Sequence, residues 1–265
     1  MSAKVENNSF KKRLKSMLSV DFRRMFTMPL FYIMVGISLV IPILILVMTT
    51  MMGGTVDPQT GVETSIEGFK NVWQIIGSVS GDSSTMSMDI TGMCNINMIF
   101  FIIAVLVCIF VSDDFRSGYT KNLFAVRSKK TDYVVSKSIV CFVGGVAMII
   151  AFFIGAMIGG AVAGLSFELT GVNAGNVIMC MLSKIFLVAI FVSIYLLPSV
   201  FAKLRLWLSI IISLAVGMLF FMIIPMITPL NSGILNVVLC LVGGGLFGSG
   251  IGALSNLILK KIDLI

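Results

Sequence analysis

LWLSIIISLAVGMLFFMIIPMITPLNSGILNVVLCLVGGGLFGSGIGALSNLIL, from Leu206 to Leu259, runs fifty-four residues without one charged side chain. Its only interruption is Pro225, Thr228-Pro229 and Asn231-Ser232-Gly233, residues that reverse a chain. Crossing roughly 30 Å of hydrocarbon takes about 20 apolar residues as a helix, since backbone N–H and C=O groups find no water there. The stretch therefore reads as two membrane-spanning helices joined by a tight turn. Composition extends this reading to the whole chain. Of its 265 residues 58% are hydrophobic and 12% charged, with mean hydropathy +1.07, against about 25% charged in a soluble domain.

Charge-free windows place six spans at approximately 30–52, 90–112, 138–163, 176–198, 206–226 and 233–259. The third window stays uncharged as far as Phe167, so it must tilt or project at one end. Pro42 and Pro198 are expected to kink or stop the first and fourth helices. The fold class is an all-α integral membrane protein, with a lead over 1–28 and a membrane domain over 29–265. No cleavable secretion signal is expected, because the first apolar segment is of full span length behind a 28-residue basic lead.

Positive charge sets the orientation. The lead carries Lys4, Lys11, Lys12, Arg13, Lys15, Arg23 and Arg24; the second connection carries Arg116, Lys121, Arg127, Lys129, Lys130 and Lys137. Lys203, Arg205, Lys260 and Lys261 fall on the same side, and only Lys70 opposes them. Both termini are thus expected in the cytoplasm. The first external loop, 53–89, is acidic, with Asp57, Glu63, Glu67, Asp82 and Asp89. The net charge of +7 reads as a topology signal and not as a nucleic-acid face, because the cations border apolar segments.

Two amphipathic segments stand out. Phe10, Leu14, Leu18, Phe22 and Met25 line one side of the lead, with Arg23, Arg24 and three lysines mostly elsewhere, as in an interfacial helix on anionic lipid. In the external loop, Ile66, Phe69, Val72, Trp73 and Ile76 recur at helical spacing. That segment either rests on the leaflet or a partner subunit, or grips an amphipathic substrate through residues such as Trp73.

The chemistry of a membrane-embedded enzyme is missing. The chain has no histidine, no Asp or Glu inside the six windows, and no GxxxxGK[ST] phosphate loop. The five cysteines lack CxxC spacing and read as small buried hydrophobes. No metal or cofactor site is expected, and a proton-coupled carrier would want an intramembrane relay. The one ionisable group within a window is Lys184. Its stem either carries the ammonium to the outer interface, or it faces a cavity and attracts an anionic part of a cargo. Glycines at four-residue spacing, Gly155 and Gly159, Gly160 and Gly164, and Gly244, Gly248 and Gly252, mark close helix packing or a sliding surface.

The most specific stretch is Asp113-Asp114-Phe115-Arg116-Ser117-Gly118-Tyr119-Thr120-Lys121-Asn122-Leu123-Phe124-Ala125. Physically, Asp113 and Asp114 are expected to end the second span in water and Gly118 to turn the backbone. Tyr119 and Phe124 then stand as aromatic anchors for a partner's groove, with Thr131 or Asp132 capping the next helix. The plainer reading is a solvated basic loop on anionic lipid. An acidic pair after a span, an R-S-G-x-x-K-N-L segment, a basic turn and a Tyr and Ser-Lys opening the next span resemble the ABC-2 type permeases of ATP-binding cassette exporters. The lead, Val20-Asp21-Phe22-Arg23-Arg24-Met25-Phe26 followed by Pro29-Leu30-Phe31-Tyr32, is similar to the connecting helix and first span of small permeases from Gram-positive bacteria. Two positions depart from the pattern. Tyr119 replaces a small aliphatic residue or Thr, and Val126-Arg127-Ser128-Lys129 replaces a Pro-x-Ser-Arg turn.

The resemblance implies a type V exporter-like subunit in a bacterial plasma membrane. It would pair with a second permease copy or paralogue and with two copies of a separate ATPase that holds the ATP and Mg. Asp113, Asp114, Phe115, Arg116, Gly118, Tyr119, Lys121, Asn122 and Phe124 would dock that ATPase, and Lys184 and Trp73 are the candidate substrate contacts. Relatives move lipophilic or amphipathic cargo such as antimicrobial peptides, drugs or lipids. The alternative is a six-span channel-like or scaffolding protein with no ATPase partner.

Overall fold

Runs of Ile, Leu, Val and Phe kept from water must hydrogen-bond to themselves, and in this chain they do so as helices. The computed structural model describes residues 10–52, 69–78, 94–126, 130–169, 172–202, 205–221 and 223–261. Expectations for Ile66, for the acidic residues of the first external loop and for the 127–129 turn lie outside them. In chain order the helices are α1 (Phe10–Thr27), α2 (Pro29–Met52), α3 (Ile99–Arg116), α4 (Tyr119–Val126) and α5 (Lys130–Ala163). They continue with α6 (Ala174–Ala202), α7 (Leu206–Phe221), α8 (Ile224–Ile227) and α9 (Ile234–Lys261). No β-strand occurs among the described residues.

Among the described residues, five helices are long and apolar enough to cross a membrane: α2, α3 with the 3-10 turn before it, α5, α6 and α9. The chain is a multi-pass helical membrane protein. Helix α7 is apolar but only 16 residues long, short of the ~20 that span hydrocarbon. The expected 206–226 span breaks after Phe221 and resumes as the short α8. Pro42 and Pro198 both lie inside continuous helices, where surrounding helices tolerate the lost hydrogen bond. Pro29 opens α2, at the position where a missing N–H costs nothing.

Helix α6 is the central post, packed by α9, α3, α5 and α7, while α2 and α1 lie along α5. Ring stacking of Phe100 on Phe191, 4.5 Å between centroids, joins α3 to α6. The α2–α5 crossing depends on glycine. A Cβ at Gly155 would lie 2.1 Å from the Leu39 carbonyl oxygen, and one at Gly159 would lie 2.8 Å from the Ile43 Cα. Backbone therefore rests directly on backbone, as small-residue ridges allow. The ridge on α9 is looser: a Cβ at Gly244 would stand 3.2 Å from the Ala189 side chain of α6, tight but without a backbone clash.

The segment expected as an external surface helix takes a different form. Residues Val72–Ile75 form one 3-10 turn, and Phe69, Val72, Ile75 and Ile76 are buried in the protein. Val72 sits in the space left by Gly160 of α5. The indole Nε1 of Trp73 donates to the Phe167 carbonyl at 2.9 Å. The periodic apolar residues thus serve as a plug over the end of α5, because burying them in the bundle removes them from water as effectively as lipid would.

Candidate functional site

Helix α3 runs on through the acidic pair before it stops at Arg116, so Asp113 and Asp114 do not end a span in water as expected. Asp113 is exposed, but Asp114 is fully buried. Side chains from two other helices converge on it. Lys137 of α5 brings its ammonium within 2.7 Å of one carboxylate oxygen, and the Tyr133 hydroxyl donates to the same oxygen at 2.9 Å. The other oxygen accepts from the Arg24 guanidinium of α1. Lys137 also reaches Asp21 of α1 at 2.9 Å, and Ser136 donates to the second oxygen of Asp21 at 2.6 Å.

Asp21, Asp114 and Lys137 are each 0% exposed. Isolated, any of these charges would be costly at the rim of a membrane. Together with Arg24 they form two anions and two cations, so the buried charges balance and each buried carboxylate is hydrogen-bonded, while the exposed Asp113 also reaches Arg24 at 3.6 Å. Such a cluster is weak evidence for stability as such, but removal of one member leaves a buried charge unpaired. Burial works against the Arg24 charge, yet Asp114, through its charge and its hydrogen bond, outweighs it and lifts the Arg24 pKa above its ordinary value. A second ion pair, Arg13 to Asp132 at 2.9 Å, pins the start of α1 to α5. Asp132 is therefore engaged by α1.

The local sequence explains the convergence. Met17, Asp21 and Met25 recur every fourth residue and are the buried face of α1. The stripe read from sequence is offset from this face. Leu18 and Phe22 pack partly against the core, while Phe10 and Arg23 are exposed and Leu14 is half-buried. On α5, Tyr133, Ser136 and Lys137 share one face at i, i+3 and i+4.

Past α3 the chain turns at Gly118, whose φ of +73° suits a residue without a Cβ, and enters α4. The two aromatic residues of α4 point inward, away from a partner's groove. The Tyr119 ring lies under the Arg24 guanidinium, 4.2 Å from its centroid. Burial is the main reason its phenol pKa is raised, with Asp21 adding to the effect. Phe124 packs edge-on against Tyr133 at 5.6 Å, as does Phe115 at 6.5 Å. Arg116, Lys121, Asn122 and Ala125 remain exposed and form the outward face.

Of the expected docking residues, Asp114, Phe115, Tyr119 and Phe124 are thus brought together inside the protein, and Asp113, Arg116, Lys121 and Asn122 lie outside. Lys184 and Trp73 belong to neither group and share no bonding partner. Lys184 is 0% exposed and donates to the Asn97 side-chain oxygen at 2.9 Å and to the Thr228 hydroxyl at 3.0 Å. Its ammonium is not carried to an interface. It ties α6 to the start of α3 and to the α8–α9 connection. Lys137, read from sequence as a loop cation, is the residue that sequence reasoning missed. The available signal was a lone acid, Asp21, set between two methionines on an apolar face. Among the described residues no cluster of His, Cys, Asp or Glu could hold a metal ion.

Compared with known proteins, the chain matches no protein-family model, and no curated protein or solved structure is similar to it.

Proposed function

We propose that the chain is the membrane-spanning subunit of an ATP-driven exporter, worked from its charged end by a separate ATPase. The observation that carries this reading is the attachment of α4. It hangs between two spanning helices on a glycine turn, and its Tyr119 is clasped by the same Arg24 that binds Asp114. A push on the outward face of α4 therefore reaches α1, α3 and α5 at once through one charge-balanced junction. A bundle with two arrangements needs such a handle if a partner is to bias it. The six-span count, the cytoplasmic placement of both ends, the bacterial plasma membrane and pairing with a second subunit belong to the same proposal. So does a lipophilic or amphipathic cargo. The resemblance of the 113–125 stretch to ABC-2 permeases supports it, as does the concentration of Lys and Arg at that end.

The test is co-purification of the tagged protein in mild detergent from its native cells. An ATPase with a phosphate loop should be retained, and Lys121→Glu with Arg116→Glu should release it without loss of folded protein. Retention of no ATPase by the wild-type chain would favour a channel-like or scaffolding protein.

A further inference from the structure

A groove of about 330 Å³ runs between α5 and α9, lined by Thr131, Val134, Ser138, Gly248, Gly252 and Asn256 among others. It lies toward the end of the bundle where α5 begins and α9 finishes, and extends over 131–139 and 248–256, about 12 Å at 1.5 Å per residue. Three features set it apart from an ordinary lipid-facing seam. Gly248 and Gly252 make its α9 wall, and a Cβ at Gly252 would meet nothing closer than Val134 at 3.8 Å, so the hollow is not closed by packing. Thr131, Ser138 and Asn256 place polar atoms in it, and the Asn256 side-chain oxygen is buried with no hydrogen-bond partner. Lys130 stands just beyond the lining at that end, one residue before Thr131. The Lys130 ammonium crosses from α5 to donate to the Leu259 carbonyl of α9 at 2.6 Å, and one such bond leaves an ammonium with further donors.

We infer that this groove is a binding site for a single anionic phospholipid. The phosphate would meet Lys130, a headgroup hydroxyl would donate to Asn256, and one acyl chain would lie along the wall of Gly248 and Gly252. The polarity gradient matches that molecule. The cation and the unpartnered Asn256 oxygen stand toward the end where α5 begins, and Val134, Val135, Ile139 and the glycines, with Ser138 the one polar side chain among them, continue away from it. The volume is at the small end of the roughly 300–1,000 Å³ of small-molecule sites, enough for part of one chain and not for a second helix. A buried polar atom without a partner is disfavoured, so occupancy by a donor-bearing headgroup removes a penalty that a hydrocarbon tail alone leaves in place. This inference rests on the membrane-spanning character of the chain and not on the exporter reading.

The experiment is native mass spectrometry of the purified full chain, exchanged into micelles doped with equal amounts of phosphatidylglycerol and phosphatidylcholine. One phosphatidylglycerol should stay bound per chain, at least about tenfold over phosphatidylcholine, which corresponds to 1.4 kcal/mol at about 25 °C. Gly252→Leu, which fills the hollow, and Lys130→Gln, which removes the cation, should each reduce retention severalfold. Ile154→Leu, on the exposed side of α5, should leave retention unchanged. Melting curves in the same detergent confirm folding of each variant, and Asn256→Leu serves where Gly252→Leu does not fold. Equal retention of both lipids, or retention unaffected by Lys130→Gln together with either filling variant, would overturn the proposal. So would a shift of oligomeric state in the filling variants with lipid retention unchanged, which would mark the groove as a contact between copies of the chain.

Discussion

Lys137 is the residue on which the charged end turns. It is wholly buried and neutralises part of both Asp21 and Asp114. Replacing it with Met keeps the volume but leaves two carboxylates facing one remaining cation, Arg24. A loss of about 3–5 kcal/mol is expected, read as a lower melting temperature in mild detergent. Combining Lys137→Met with Asp21→Asn should recover much of it, because the surviving charges again pair one to one. Lys184 gives the contrasting case. Its partners Asn97 and Thr228 are neutral, so Lys184→Met strands no charge. We expect a loss of about 1–3 kcal/mol with transport per folded molecule unchanged. Abolished transport at normal stability would instead support the cargo-contact role.

Helix α5 makes the clearest demands at the scale of elements. With Gly155 against the Leu39 carbonyl, even Gly155→Ala forces α2 and α5 apart, whereas a methyl group added at Gly36 on α2 would meet nothing within 4 Å. Gly155→Ala should sharply reduce the yield of monodisperse protein in size-exclusion chromatography, and Gly36→Ala should not. Helix α4 separates two roles that its sequence merges. Tyr119→Ala and Phe124→Ala remove packing against Arg24 and Tyr133, so they should lower the melting temperature and loosen α1. On the proposed exporter reading, changes at Lys121 and Asn122 should affect only retention of the ATPase. The aromatic pair was legible as important but not as internal, because a sequence shows that a loop has anchors and not which way they face.

For the whole molecule, the charge asymmetry predicts that a cysteine placed at Asn122 in an otherwise cysteine-free chain is shielded from an impermeant maleimide in intact cells and labelled after permeabilisation. Labelling in intact cells would put the basic end outside and remove the exporter reading. Most of the architecture was readable in advance. The windows 30–52, 176–198 and 233–259 fall within a few residues of α2, α6 and α9. The boundary misses at the charged end have a common physical origin. Window boundaries were drawn at the first charge, yet α3 continues through Asp113 and Asp114, and α5 starts at Lys130 and passes through Asp132 and Lys137. A charge ends a span only when it has no partner, and here the partners lie on α1, α3 and α5.

Hydrophobic content and its spacing alone determined that this chain is helical and enters a membrane, because no other arrangement of such long apolar runs satisfies so much backbone without water. The order of Lys and Arg along the chain determined which end is basic. Tertiary structure decided the fate of individual charges and rings: that Asp21, Asp114, Lys137 and Arg24 close on one another, that Lys184 is held inside, and that Tyr119 and Phe124 turn inward. The first and last of those outcomes depend on the side-by-side placement of α1, α3 and α5, where bonded partners on α1 and α5 stand more than a hundred positions apart in the chain. Short-range pattern is blind to pairing at that separation, where the cost of burying a charge is set entirely by what stands opposite.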